Sequence, residues 1–488
     1  MEQLIHGDCL EKLKAMPDDS IDAIVTDPPA GIEFMGKDWD SFKDNKRSKG
    51  WACQGKEGGN DFGGFGKTLK PSFYALNSSD LQNFQDFICE VMTECLRVLK
   101  PGGYAIVWAI PRTSHHTAMG IERAGFEIRD VIHHVFGSGF PKNHDIGKAV
   151  DKLQGNERED VGKYVPPNGK EWNLKQDADE NIDCASGTFT ASGRRTLDIT
   201  KGNSEWEGWG TALKPSTEHW ILARKPLKEK TVAENVLKYG TGAINIDGCR
   251  IPVTSDDEKD VDRIINRNIR EEEDGWGMQD NTADRVSVLS NQGRYPANVV
   301  VQDDALNDGE NSKSGFMKAG TNRLMSENPN KTCYGEWKSD TVSNDTYGDE
   351  GSKSRYFDIE LWAKTKGIIY VPKASRSEKN AGLDEFEEKQ VNDGRKTDID
   401  NAFQRGDTLR KNTHPTVKSI NLMSYLITLV SKEKMTILDP FMGSGTTGVA
   451  CKLLDRNFIG IEKDKEYLGI AEARINHVPA VNNFFDEI

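Results

Sequence analysis

The stretch Leu438-Asp439-Pro440-Phe441-Met442-Gly443-Ser444-Gly445-Thr446-Thr447 decides the reading of the fold. The apolar run Met435–Asp439 predicts a buried strand that ends on an acidic residue. Two glycines then allow a sharp turn, and Thr446–Leu453 predicts the helix that follows. Glycine lets the backbone approach a ligand closely, and a helix N-terminus offers unpaired N–H groups. Strand, glycine turn and helix in that order make a cradle for a nucleoside-bearing cofactor. Asn457–Glu462 predicts the next strand, completing a β-α-β unit, and Asp464–Ile475 predicts a final helix. Glu462 stands 23 positions after Asp439, where an acidic residue can accept both hydroxyls of a ribose. The turn has neither a third glycine nor a phosphate-binding lysine, which favours S-adenosylmethionine over NAD or ATP.

The same alternation is found at the other end of the chain. Ile21–Thr26 predicts a strand, and Asp27-Pro28-Pro29 a rigid turn after it. Ahead of it, Asp8 is placed to cap a short helix over Leu10–Met16. Leu81, Phe84, Ile88, Val91, Met92, Cys95 and Leu99 recur at helical spacing, predicting an amphipathic helix over about 80–99. Lys100-Pro101-Gly102-Gly103 reads as its stop, followed by a strand over Tyr104–Ala109, a helix over Ser114–Ala124 and a strand over Phe126–Val135. Lys418–Val430 predicts a further helix near the C-terminal end. Strands alternating with helices imply a mainly parallel sheet covered on both faces. The fold expected is therefore α/β and Rossmann-like, with the two chain ends completing one sheet.

Between these ends the regularity dissolves. Residues 155–215, 254–290 and 302–350 are rich in turn formers and charge, interrupted by strand-like islands at Glu218–Arg224, Ala297–Val301 and Gly367–Val371. We divide the chain into 1–139, a loop-rich insertion at 140–412, and 413–488. The segment 218–227 reads either as an island of the insertion or as a late strand of the core sheet.

At 488 residues the chain is too long for one compact core. Hydrophobic residues at 36% and charged residues at 29% describe a polar globular protein. No apolar run of about 18 residues and no basic–apolar leader is found, so no membrane association and a cytoplasmic location are expected. The eight cysteines are scattered singly, without a CxxC pair, and the histidine pairs His115-His116 and His133-His134 lack ligand spacing. No metal is expected. The formal charge of −14 weighs against a broad phosphate-binding surface, although basic residues gather over Lys142–Lys152, at Arg194-Arg195 and from Arg224 to Lys230.

His414-Pro415-Thr416-Val417-Lys418, the Leu438–Thr447 stretch, Gly460-Ile461-Glu462 and the earlier Thr26-Asp27-Pro28-Pro29 together resemble the S-adenosylmethionine-dependent amino-methyltransferases of DNA. The order is that of the permuted, beta-class members, in which the catalytic half precedes the cofactor half. Phe136–Lys142, Trp209–Pro215, Ala223–Leu227, Gly240–Asp247 and Lys373–Arg376 look like phage and prophage members. The resemblance makes 1–139 the catalytic half, 140–412 the target-recognition region and 413–488 the cofactor half. It implies that His414–Lys418 packs against the methionine moiety, with Thr416 and Lys418 at the site. It also implies that Phe441 and Gly443 line the cofactor, that Glu462 holds its ribose and that Asp8 faces its adenine. Cys9, Asp439, Ser444, Gly445 and Thr446 belong to the same expected site.

Methyl transfer to an exocyclic amine needs the nitrogen lone pair aimed at the methyl, and stabilisation of the positive charge that develops on nitrogen. Asp27 and the Pro28 carbonyl fit as acceptors for the two N–H bonds, and Pro29 stiffens the turn. Direct in-line transfer follows, without a covalent enzyme intermediate. In the family the position after the second proline is aromatic and stacks on the extruded base, but here it is Ala30. Phe34, Trp39, Phe136 and Phe140 are the candidate replacements. Asp before Pro-Pro is typical of adenine-N6 enzymes, and Ser of cytosine-N4 enzymes. The expected activity is site-specific adenine-N6 methylation of duplex DNA by base flipping, within a restriction-modification setting in a bacterial or phage-infected cell. Cytosine-N4 methylation is the alternative. An RNA or protein methyltransferase, or a non-catalytic DNA-binding relative, is more distant. The recognition sequence, a homodimer and a cognate restriction endonuclease stay open.

Overall fold

The computed structural model describes residues 2–32, 40, 42, 78–137, 139, 143–163, 198–252, 293–310, 312–313, 350–366, 368, 376–390 and 409–478. In chain order its strands are β1 (Glu2–His6), β2 (Ile21–Thr26), β3 (Leu99–Ala109), β4 (Glu127–Phe136), β5 (Glu159–Lys163), β6 (Asp198–Lys201), β7 (Thr217–Arg224), β8 (Val299–Gln302), β9 (Ser312–Lys313), β10 (Glu350–Gly351), β11 (Lys389–Gln390), β12 (Leu409–Arg410), β13 (Thr436–Asp439) and β14 (Asn457–Glu462). The helices used below are α1 (Cys9–Lys14), α2 (Ser78–Val98), α3 (Ser114–Arg123), α4 (Ile146–Gln154), α5 (Val232–Tyr239), α6 (Ile359–Thr365), α7 (Arg376–Asn380), α8 (Ile420–Val430), α9 (Thr446–Leu453) and α10 (Lys465–His477).

Eight strands form one sheet in the order β1-β14-β13-β2-β3-β7-β4-β8, and only β7 runs against the others. All six residues of β2 are buried, the continuous burial required of a strand covered on both faces. Its side chains divide between two cores, alternating from Ala23 onward, after the register shift that follows Ile21. Ala23 and Val25 join Trp220, Trp362 and Tyr425 beneath α6, α8, α9 and α10, whereas Ile21 and Ile24 join Phe84, Ile88 and Val91 beneath α1, α2 and α3. Every residue of α8 is buried, so its largely apolar sequence, interrupted by Asn421, Ser424 and Thr428, suits a helix enclosed by the sheet and its neighbours.

The two chain ends meet at the pairing of β13 with β2, where Ile437 faces Ala23 and Leu438 faces Ile24. From β13 the chain crosses through α9 to β14, and from β2 it crosses through α2 to β3, on the opposite side. Such a divergence leaves a crevice outside the carboxyl ends of the two strands.

Several boundaries differ from expectation. Lys100–Gly103 does not separate helix from strand, because α2 ends at Val98 and β3 starts at Leu99. Gly102, at a φ of 76°, absorbs the register shift between Ile21–Leu99 and Ala23–Tyr104 that keeps the Lys-Pro-Gly-Gly stretch in the strand. Thr217–Arg224 lies inside the sheet, between β3 and β4. The island expected at Ala297–Val301 forms as Val299–Gln302 on the sheet edge. The one expected at Gly367–Val371 lies, but for Ile368, outside the described residues. Among the described residues no helix is long and apolar enough to cross a membrane.

Gly445 shows why the turn after β13 carries glycine. It caps α9 at a φ of 79°, and a Cβ there would stand 2.8 Å from Ala471 Cβ. Gly445→Ala therefore combines a left-handed backbone with overlap against α10. It is expected to destabilise the fold by about 2 kcal/mol or more, read as a lower thermal midpoint.

Candidate active site at the meeting of the chain ends

A cavity of about 2140 Å³ opens over the carboxyl ends of β13, β14 and β2, and both ends of the chain line it. Asp8, Asp27, His414, Phe441, Gly443 and Glu462 are among its wall residues.

On the C-terminal side, the turn after β13 and the end of β14 are fastened together. The Gly443 N–H donates to Glu462 Oε2 at 2.8 Å, and the Asp464 N–H donates to Oε1 at 2.7 Å. Burial pushes the Glu462 carboxyl up to about 7, against the pull of these backbone donors. Each carboxylate oxygen has a second lone pair to offer. Gly443 has a φ of 55°, and a Cβ on it would lie 2.7 Å from His414 Nε2. His414 stands edge-on to Tyr467, with ring centroids 4.7 Å apart, and its Nδ1 accepts the Thr416 N–H at 3.4 Å. Burial, with Arg474 and Lys418 nearby, lowers this imidazole to about 3, so it is neutral. Phe441 meets Phe87 at 6.0 Å between centroids, giving the wall an aromatic section. Asp8 both caps α1, accepting the Leu10 N–H at 3.1 Å, and lines the cavity beside Cys9.

Asp439, Ser444 and Thr446 also line the cavity, and each has partners within the protein. Asp439 Oδ1 accepts from the Thr26 hydroxyl at 2.7 Å and from the Phe441 N–H at 3.1 Å, while Oδ2 accepts from the Thr447 hydroxyl at 2.5 Å. Its carboxylate is thus a strut that ties β13 to β2. The hydroxyls of Ser444 and Thr446 accept from Arg474 Nη1 at 3.1 and 3.2 Å. Gly445 does not line the cavity, being pressed against Ala471 of α10.

Asp27 follows β2 directly, and Pro28, Pro29 and Ala30 line the cavity beside it. The Ala30 carbonyl accepts the Thr113 hydroxyl at 2.8 Å, which fixes the end of the turn. Burial raises the Asp27 carboxyl to about 6, in spite of Lys418. That lysine, expected beside the methionine moiety, has its Nζ 3.2 Å from Asp27 Oδ2 and 3.8 Å from Glu218 Oε2. It also lies 3.9 Å from the centre of the Trp108 ring, a cation–π distance. Trp108 Nε1–H donates to Glu218 Oε2 at 3.0 Å. Burial opposes ionisation of Glu218, but Lys418, His134 and the Trp108 donor together hold it down to about 2. Of the stacking candidates, Phe136 is on the cavity wall with its ring 5.4 Å from that of His134. Phe34, Trp39 and Phe140 lie outside the described residues. Among the described residues no cluster of three or more His, Cys, Asp or Glu side chains suits a metal ion.

Trp108 and Glu218 escaped the sequence reading. The available signal was their place: a large polar-tipped ring at the carboxyl end of a buried strand, and an acid beginning another.

The DNA methylase family profile matches residues 21–473. Over 475 residues the chain is 22% identical to the type II methyltransferase M.HindIII of Haemophilus influenzae, covering 97% of this chain and 94% of that enzyme. It is 54% identical over 63 residues to the type II methyltransferase M2.LlaDCHI of Lactococcus lactis, a match covering 13% of this chain and 23% of that enzyme. The chain spans between 19% and 28% of the length of the relatives that it matches at 43–55% identity. Among solved structures it is similar to the cytosine-N4-specific PvuII DNA methyltransferase, with 13% identity, 100% of this chain and 89% of that chain covered, and a TM-score of 0.35. It is also similar to M1.HpyAVI in complex with SAM, with 14% identity, coverage of 98% and 100%, and a TM-score of 0.31.

Proposed function

The chain belongs to the N6/N4 DNA methylase family, and from that premise we propose that it transfers a methyl group from S-adenosylmethionine to the N6 amine of adenine in duplex DNA. The observation that carries this reading is that Asp27 and the Gly443–Glu462 cradle open into one cavity. Its volume of about 2140 Å³ exceeds the ~300–1,000 Å³ of an ordinary small-molecule site. That leaves room for a nucleoside donor and an extruded base together, as chemistry on a stacked base requires.

The cradle fits the donor. Glu462 can accept both ribose hydroxyls, since each of its oxygens holds only one of the two cradle N–H bonds. Gly443 lets the backbone come close, and Phe441 supplies a flat apolar face. When bound, S-adenosylmethionine supplies an electrophilic methyl on a sulfonium. The rest is the work of the chain. Asp27 and the Pro28 carbonyl accept the two N–H bonds of the target amine and orient its lone pair. Asp27 then balances the positive charge that grows on nitrogen. Ionised above about 6, it can take the proton that the methylated amine releases.

Asp at the head of the Pro-Pro turn supports adenine over cytosine, by resemblance to adenine-N6 enzymes. DNA is read, in this proposal, by residues between 140 and 412. The test is to incubate the chain with labelled S-adenosylmethionine and duplex DNA, digest the product and identify the nucleoside. Label in N6-methyladenine is the expected result. Label in N4-methylcytosine would move the target to cytosine, and donor binding without transfer would make the chain a non-catalytic relative.

A further inference from the structure

Resting on that functional reading, we propose that Glu218 is a positioning residue that takes the Lys418 ammonium from Asp27 when the target amine arrives. The conflict it resolves is visible in the geometry. Lys418 Nζ is bonded to Asp27 at 3.2 Å, in the place where an amino group must be received. A carboxylate already paired with a cation gives little stabilisation to a second positive charge beside it. Methyl transfer creates that second charge, on the target nitrogen. The lysine must therefore leave Asp27 without being driven into water or left buried and unpaired.

Glu218 supplies the destination. Its Oε2 is 3.8 Å from the same Nζ, so a movement of under about one ångström exchanges the two carboxylates as first partner. The Trp108 ring lies under the ammonium and keeps attracting it throughout such a movement. Glu218 is itself held by the Trp108 Nε1–H and by its place in β7 between β3 and β4, and His134 Nδ1 lies 3.7 Å from its Oε2. His134 is anchored in turn, with Nε2 3.0 Å from Gln302 Oε1 of β8. Two ionised carboxylates sharing one ammonium leave a single surplus negative charge. With Lys418 drawn to Glu218, that surplus rests on Asp27, facing the amine.

The groups that face Asp27 are Lys418 before α8, Glu218 on β7 and Asp439 on β13; the Glu218 charge favours protonation of Asp27. Removing that charge in Glu218→Gln thus moves the acid limb of the pH–rate profile to lower pH, although the rate itself falls.

The experiment measures methyl transfer to duplex DNA, donor affinity and thermal midpoint for the wild-type chain, Glu218→Gln, Lys418→Met and the double variant. Glu218→Gln should lose about 10- to 100-fold in kcat, the size of a coupling between contacting charged groups, with KM values within about threefold. Because that loss acts through Lys418, adding Lys418→Met should bring no further loss beyond that of Lys418→Met alone. Wild-type kcat in Glu218→Gln, or losses that multiply in the double variant, would overturn the inference and leave the functional reading standing. An absence of transfer by the wild-type chain would overturn both. Should Glu218→Gln not fold, Glu218→Asp keeps the charge at shorter reach. It should then show a smaller loss in kcat with the same dependence on Lys418, and unchanged kcat there would count equally against the inference.

Discussion

Asp27→Ala is expected to lower methyl transfer by about 10³-fold or more while donor affinity changes by less than about twofold. The size follows from position. Asp27 is largely buried, so no water readily takes over as acceptor for the amine. The donor cradle is built from Gly443, Glu462 and Phe441 on other elements, and none of its bonds passes through the Asp27 side chain. Asp27→Asn retains one acceptor oxygen but no charge and no proton sink, and should be nearly as inactive. The wild-type rate should fall about tenfold per pH unit below about 6, because the protonated carboxyl can neither balance charge nor accept a proton. Equilibrium dialysis against the donor and single-turnover transfer measure the two halves of this expectation. Turnover by Asp27→Ala within tenfold of the wild-type rate would remove Asp27 from the chemistry.

Glu462→Ala should produce the opposite division. Donor affinity is expected to weaken by about 10²-fold or more, as two hydrogen bonds to a charged group are lost at roughly 1.5–3 kcal/mol each. Turnover at saturating donor should stay within about tenfold, since Glu462 is in the cradle and not at Asp27. A donor analogue lacking both ribose hydroxyls should bind poorly to the wild-type chain yet lose little more on Glu462→Ala, because the missing partner is the same. Donor binding should also weaken as the pH drops through about 7, where burial leaves this carboxyl half protonated. Calorimetric titration reads all of these. Equal loss for the complete donor and the analogue would place the ribose elsewhere.

The sequence made the frame of the site legible because that frame is local. Asp439, the glycine turn and Glu462 lie within a single β-α-β unit, whose period and glycines show in a short window. Asp27 was legible for a similar reason, since two prolines after an apolar run permit little but a stiff turn at a strand end. Glu218 was not. It reaches Asp27 only through the insertion of β7 between β3 and β4, an antiparallel pairing that no local pattern announces. Lys418 was named for the cofactor side alone: its spacing from His414 was visible, but not that its side chain crosses to Asp27 at the other chain end. Asp439 marks the same limit. Its position at the strand end was plain, whereas its bond to Thr26 spans a separation of 413 residues.

That last bond bears on how the protein is made. A ribosome adds roughly 5–20 residues per second, so β2 waits on the order of half a minute for the strand that will become its neighbour. Until then its edge has unpaired backbone groups open to other chains, a known route to aggregation. Catalytic competence therefore arrives all at once and late, and a transcript cut short anywhere before β13 would yield a polypeptide without a donor pocket.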